Sequence, residues 1–85
     1  MARYELRIRA SVTKDLRGLP KEDVSRILGR IEALRDDPRP PGSEKLSGQE
    51  RYRIRQGNYR IVYGIEDAEV VVEIVKVGHR KEVYR

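Results

Sequence analysis

The sequence predicts one α+β domain over residues 1–85: an N-terminal strand, a two-helix hairpin, then an antiparallel three-strand meander with the helices packed on one face of its sheet. Three observations predict it. Tyr4, Leu6 and Ile8 alternate with Glu5, Arg7 and Arg9, the period of a half-buried strand. Val24, Ile27, Leu28, Ile31 and Leu34 recur at helical spacing. From Arg51 to Val77, three alternating or β-branched runs are separated only by short turn signals.

After the opening strand, Ser11 offers an N-cap for a short helix through Val12 and Leu16, closed by Gly18. Pro20 starts the long helix. Glu22 and Asp23 suit the positive end of its dipole, Arg26, Arg30, Glu32 and Arg35 are left for water, and Asp36-Asp37-Pro38 stops it. Residues 38–43, rich in proline and glycine, form an exposed loop, and the pattern turns to strands from Leu46 onward. Arg51 to Arg55 alternates strictly, Gln56-Gly57-Asn58 turns, and Tyr59 to Ile65 returns as the second arm of a hairpin. After Asp67-Ala68 the valine-rich run Glu69 to Val77 reads as a central strand, ending at Gly78 before a polar tail.

Eighty-five residues lie close to the lower limit at which a single core suffices, and with no cysteine neither disulfides nor thiolate metal sites can supplement it. No apolar run approaches the roughly 18 residues of a membrane span, and residues 1–10 lack a signal-peptide core, so a cytoplasmic protein without a membrane partner is expected. The formal charge is +5, from 19 basic and 14 acidic residues, with arginine dominating the basic side. Arginine's planar fork matches phosphate oxygens two at a time, which points to a phosphate-bearing partner. The alternative is a surface laced with ion pairs.

Strand alternation turns Tyr52 and Ile54 toward the helices and Arg51, Arg53 and Arg55 toward the other face. On the next strand Tyr59, Ile61, Tyr63 and Ile65 form the inward set, so Arg60 joins the arginine side, beside Gly64. Like charges on neighbouring strands repel, and phosphate would explain their clustering. The competing explanation is that Glu50, Glu69 or Glu73 pairs with them across the sheet. The end of the third meander strand could bring His79, Arg80 and Tyr84 beside Arg60. Scattered carboxylates and one histidine argue against a metal-dependent nuclease, and neither a serine elbow nor a glycine-rich phosphate loop is present, so no metal and no cofactor are expected. RNA cleavage by the substrate's own 2′-hydroxyl stays open. The protein must then position the chain, neutralise charge and move two protons, and only His79 and Tyr84 can carry protons in this region.

Lys45-Leu46-Ser47-Gly48, Tyr52-Arg53-Ile54-Arg55, Tyr59-Arg60-Ile61-Val62-Tyr63, Val77-Gly78-His79-Arg80 and Glu82-Val83-Tyr84 resemble, in order and approximate spacing, the RelE/ParE superfamily of toxins from toxin–antitoxin pairs, specifically its RelE branch. Each motif alone is weak; together they cover nearly the whole chain. The resemblance implies an RNA endonuclease that enters the ribosomal A site, cuts messenger RNA without metal, and is silenced by a cognate RelB-like antitoxin. It implies catalytic roles for Arg60 on the transition-state phosphate, Arg80 beside the leaving group and Tyr84 in proton transfer or base stacking; the residue inventory itself adds His79 as a candidate second proton carrier. Arg51, Arg53, Arg55, Lys45 and Lys81 are the expected RNA-binding set. Arg53 and Arg55 stand where the best-known members place lysines, and arginine, unlike lysine, cannot be tuned into a base. Two other outcomes share the fold: a ParE-like gyrase poison, and a degenerate toxin that only binds RNA or its antitoxin.

Overall fold

The computed structural model describes residues 3–48 and 50–79. Along the chain run β1 (Glu5–Ile8), α1 (Ala10–Arg17), α2 (Lys21–Ala33), β2 (Glu44–Lys45), β3 (Tyr52–Gln56), β4 (Tyr59–Glu66) and β5 (Val71–His79). The strands form one sheet in the order β1-β5-β4-β3-β2. The meander expected from the sequence is β3-β4-β5, antiparallel throughout.

Two features differ from the expectation. β1 pairs with β5 in parallel, so the sheet is mixed and not wholly antiparallel. Parallel neighbours need a long crossover, and here the two helices and three intervening strands supply it. The two-residue β2 adds an edge beside β3, in the gap between the loop at residues 38–43 and the strands from Leu46, to which the sequence pattern assigns no element. Two residues are too few for alternation to register.

α1 begins one residue before Ser11: Arg9 holds the N-cap position with extended backbone, and no side chain caps the helix. Gly18 ends it, as expected. On α2, Ile27 and Ile31 are buried, as is Leu34 at its C-cap, whereas Leu28 turns out of the apolar stripe to the surface. These residues meet Val12 from α1 and Ile54, Ile61, Tyr63, Val72, Ile74 and Val77 from the sheet, forming one core. The hairpin β3-β4 closes on the pair Gln56 and Tyr59, with Gly57 at φ 58° in the first of two turn residues, where a primed turn demands positive φ.

The proline-rich loop is fastened on the helix side of the sheet. Tyr63, fully buried, donates its hydroxyl to the Pro38 carbonyl at 2.7 Å, and its ring stacks on Tyr52 with centroids 5.9 Å apart. Arg39 reaches over the Tyr52 ring, donates to its hydroxyl, and forks onto both carboxylate oxygens of Asp67 at 3.3 and 2.9 Å. Tyr4 donates to the same carboxylate, tying β1 to the β4-β5 turn. That turn contains Val70 at φ 57°, a strained conformation for a β-branched residue. β5 consequently starts two residues later than the valine run suggested and extends through His79.

Candidate nucleic-acid interface

β3 carries Tyr52 and Ile54 on the helix face and Arg53 and Arg55 on the other, and its register with β4 sets Arg53 opposite Val62 and Arg55 opposite Arg60. Arg51, just before β3, lies over Gly64: a Cβ there would stand 3.0 Å from the Arg51 Nη1. The glycine thus gives the guanidinium room to lie flat on β4. The four arginines do gather, as alternation predicted. Their exposures differ sharply: Arg55 is exposed, while Arg60 retains only 5 % of its surface. An arginine so enclosed has its rotamers fixed before any ligand arrives, which lowers the entropy lost on binding.

The carboxylate that pairs within this cluster is one the sequence did not point to. Glu44 on β2 sits opposite Arg53 and accepts from its Nη2 at 2.8 Å. The hydrogen bond from Arg53, with lesser contributions from Arg55 and Arg60, holds the Glu44 carboxyl below its ordinary range. The three carboxylates considered from sequence go otherwise. Glu50 approaches Lys45 at 3.7 Å, Glu73 accepts from Arg9 at 3.2 Å, and Glu69 stands exposed in the turn before β5. Gly42, Glu44, Arg53, Ile54, Arg55 and Arg60 together border a small hollow on this face.

The remaining site residues divide. Lys45 pairs with Tyr52 in the register, so alternation turns it off the arginine face. His79 is the clearest departure. It pairs with Tyr59 and meets that ring edge-on at 6.1 Å, whereas Arg60 pairs with Gly78. One position of strand register therefore puts the imidazole on the helix face and the Arg60 guanidinium on the opposite one. The sequence had only the nearness of the strand end to go on, and nearness along a strand does not decide the face. Around His79 a separate open cleft of about 250 Å³ is lined also by Asp23, Arg26 and Tyr59, whose hydroxyl donates to Asp23 at 2.9 Å. Arg80, Lys81 and Tyr84 lie outside the described residues.

A sheet with arginines clustered on one face, a hairpin of helices on the other and this strand order can be set against known proteins. The family model for the ParE toxin of type II toxin–antitoxin systems, parDE, matches residues 6–84. This chain belongs to the RelE/ParE superfamily of toxins. The toxin RelE of Mycobacterium tuberculosis is 30% identical over 96% of this chain and 87% of its own length. The toxin RelG of the same organism is 29% identical over 96% of this chain and 97% of its own length. Among solved structures, the archaeal RelE–RelB complex from Pyrococcus horikoshii superposes with a TM-score of 0.82 at 32% identity, covering 91% of this chain and 94% of that one. The chain is a RelE-like toxin of the type II class.

Proposed function

We propose that this toxin is an endoribonuclease that cuts messenger RNA in the ribosomal A site, using the RNA's own 2′-hydroxyl as nucleophile. The observation that carries the assignment is the clustering of Arg51, Arg53, Arg55 and Arg60 on one face of β3 and β4, with Arg60 enclosed at the centre. Guanidiniums aimed at one place stabilise the charge that builds on phosphorus as the 2′-oxygen attacks.

Proton transfer falls to Tyr84, because His79 faces the helices and arginines stay protonated near neutral pH. The silencing partner we infer is a RelB-like antitoxin, because the similar P. horikoshii structure is a RelE–RelB complex; apolar contacts and an acidic segment shielding the arginine face would complement this toxin's charge. A second assignment has its own support. The matching family model is described for ParE, whose namesake branch poisons DNA gyrase, and the shared fold admits either target.

Primer extension on messenger RNA in a translating extract separates the two. Discrete new 5′ ends within codons at the A site are expected with the wild-type chain. Arg60→Lys and Tyr84→Phe are each expected to slow single-turnover cleavage on programmed ribosomes at least tenfold, about 1.4 kcal/mol of barrier. His79→Ala should cut at close to the wild-type rate. Intact messenger together with trapped gyrase–DNA complexes would transfer the chain to the gyrase branch.

A further inference from the structure

Resting on the assignment of the arginine face to RNA, we propose that Glu44 is a built-in competitor for phosphate. Its carboxylate engages the Arg53 Nη2 and must swing out before an RNA phosphate can sit among Arg53, Arg55 and Arg60.

A carboxylate on a guanidinium uses the same planar donors as a phosphate, so the two compete for one position. The hollow beside Glu44 has a cavity volume of about 20 Å³, room for about one water molecule and not for a phosphate group. A phosphate seated as deeply as the Glu44 carboxylate would therefore displace that side chain. The two partners of the pair are unequally held: the Arg53 side chain is 21% exposed, the Glu44 side chain 62%. Glu44 also stands on a two-residue edge strand, with solvent to rotate into, so the acid yields and the guanidinium stays. The cations of the cluster hold its carboxyl below the ordinary range, so the competitor is anionic throughout the neutral pH range. A polyanion that brings several phosphates at once can displace it, whereas an isolated phosphate or a carboxylate metabolite meets a competitor already in place. Glu44 thus tunes affinity and discrimination and has no role in the chemical step.

The test uses the intact chain and a fluorescein-labelled single-stranded RNA methylated at every 2′-oxygen, which cannot be cut, with binding read by anisotropy across a KCl series. Glu44→Gln keeps the shape and removes the charge. It is expected to bind about three- to tenfold tighter, because the competent fraction of the site rises. Its plot of log affinity against log salt should steepen by about 0.7, one more phosphate contact on a single strand. Glu50→Gln removes a charge from a neighbouring, 91% exposed carboxylate that pairs with Lys45, and should change affinity less than twofold. Equal gains in both variants would reduce the effect to net charge and overturn the proposal. So would a Glu44→Gln variant no tighter than a wild type that does bind. If neither the wild type nor Glu44→Gln binds while circular dichroism shows both folded, the assignment of the face to RNA fails, and the role of Glu44 fails with it.

Discussion

Neighbouring residues on β4 serve two different chemistries. Toward the helices, Ile61 and Tyr63 are fully buried among aliphatic side chains, and the one polar atom there, the Tyr63 hydroxyl, donates to the Pro38 carbonyl. Toward the other face, Arg60 and Val62 are almost as enclosed, yet their surroundings are guanidiniums: Arg55 across from Arg60, Arg53 across from Val62, Arg51 over Gly64. Burial alone does not tell the two faces apart. What differs is whether the buried groups stabilise one another. The helix face lowers the free energy of folding through apolar area removed from water; the arginine face brings like charges together, a repulsion that the Glu44 carboxylate on Arg53 offsets in part. The same strand can therefore be mutated on one side to change the fold and, on our assignment, on the other to change binding.

The largest expected effect tests that separation directly. Ile61→Ala leaves a cavity in the buried core and should lower unfolding free energy by about 2–5 kcal/mol in urea titrations. Arg55→Ala, on the adjoining strand but the opposite face and exposed, should stay within about 0.5 kcal/mol of wild type while weakening RNA binding. An Arg55→Ala protein as unstable as Ile61→Ala would mean that the arginines hold the sheet together, and the comparison would break.

A smaller effect separates packing from hydrogen bonding on the helix face. Tyr63→Phe keeps the ring stacked on Tyr52 but leaves the Pro38 carbonyl without its donor, at a cost of about 1–3 kcal/mol. The pH dependence has a definite sign. Burial pushes the Tyr63 phenol up to about 12 in the folded chain, above the ordinary value near 10. Its contribution is therefore complete below pH 10 and is lost as pH rises toward 12. The stability gap between wild type and Tyr63→Phe should be constant from pH 7 to 9 and shrink above pH 10. A gap that holds through pH 12 would show that the phenol is not shielded from water.

Much of this arrangement was legible in the sequence because alternation is a strong local signal. Tyr52, Ile54, Tyr59, Ile61 and Tyr63 went to one face and Arg53, Arg55 and Arg60 to the other on period two alone, and the register confirms each. What was not legible depended on contacts between distant segments. The parallel docking of β1 on β5 is set by the crossover, which no window of a few residues contains. Glu44 was missed because its strand is two residues long and its partner lies nine positions away. His79 was placed by its nearness to Arg60, when the decisive quantity was its register with Tyr59. The Arg39 clasp joins a loop, a turn and β1, and a lone arginine among prolines gives no hint of it.

That clasp supplies the last and smallest effect, and it asks whether the loop beside the arginine face belongs to stability or to binding. Asp67 accepts from both Nη atoms of Arg39 and from the Tyr4 hydroxyl, and the Arg39 hydrogen bond, then that of Tyr4, holds its carboxyl below the ordinary range. A depressed folded value means that the contribution is present above the unfolded value near 4 and is lost as pH falls through the folded value. The groups are exposed, so the stabilisation is modest and weakened by salt. Asp67→Asn should accordingly give the smallest shift in urea midpoint of the three stability variants at pH 7, and its difference from wild type should close as pH is lowered below about 4. Arg39 and Tyr52 lie on the helix side of the sheet, so RNA affinity should change less than twofold. A loss of RNA binding matching that of Arg55→Ala would show that fastening the loop at Asp67 also holds Glu44 and Arg53 in place. The two faces of the sheet would then be coupled through the segment between Arg39 and Glu44.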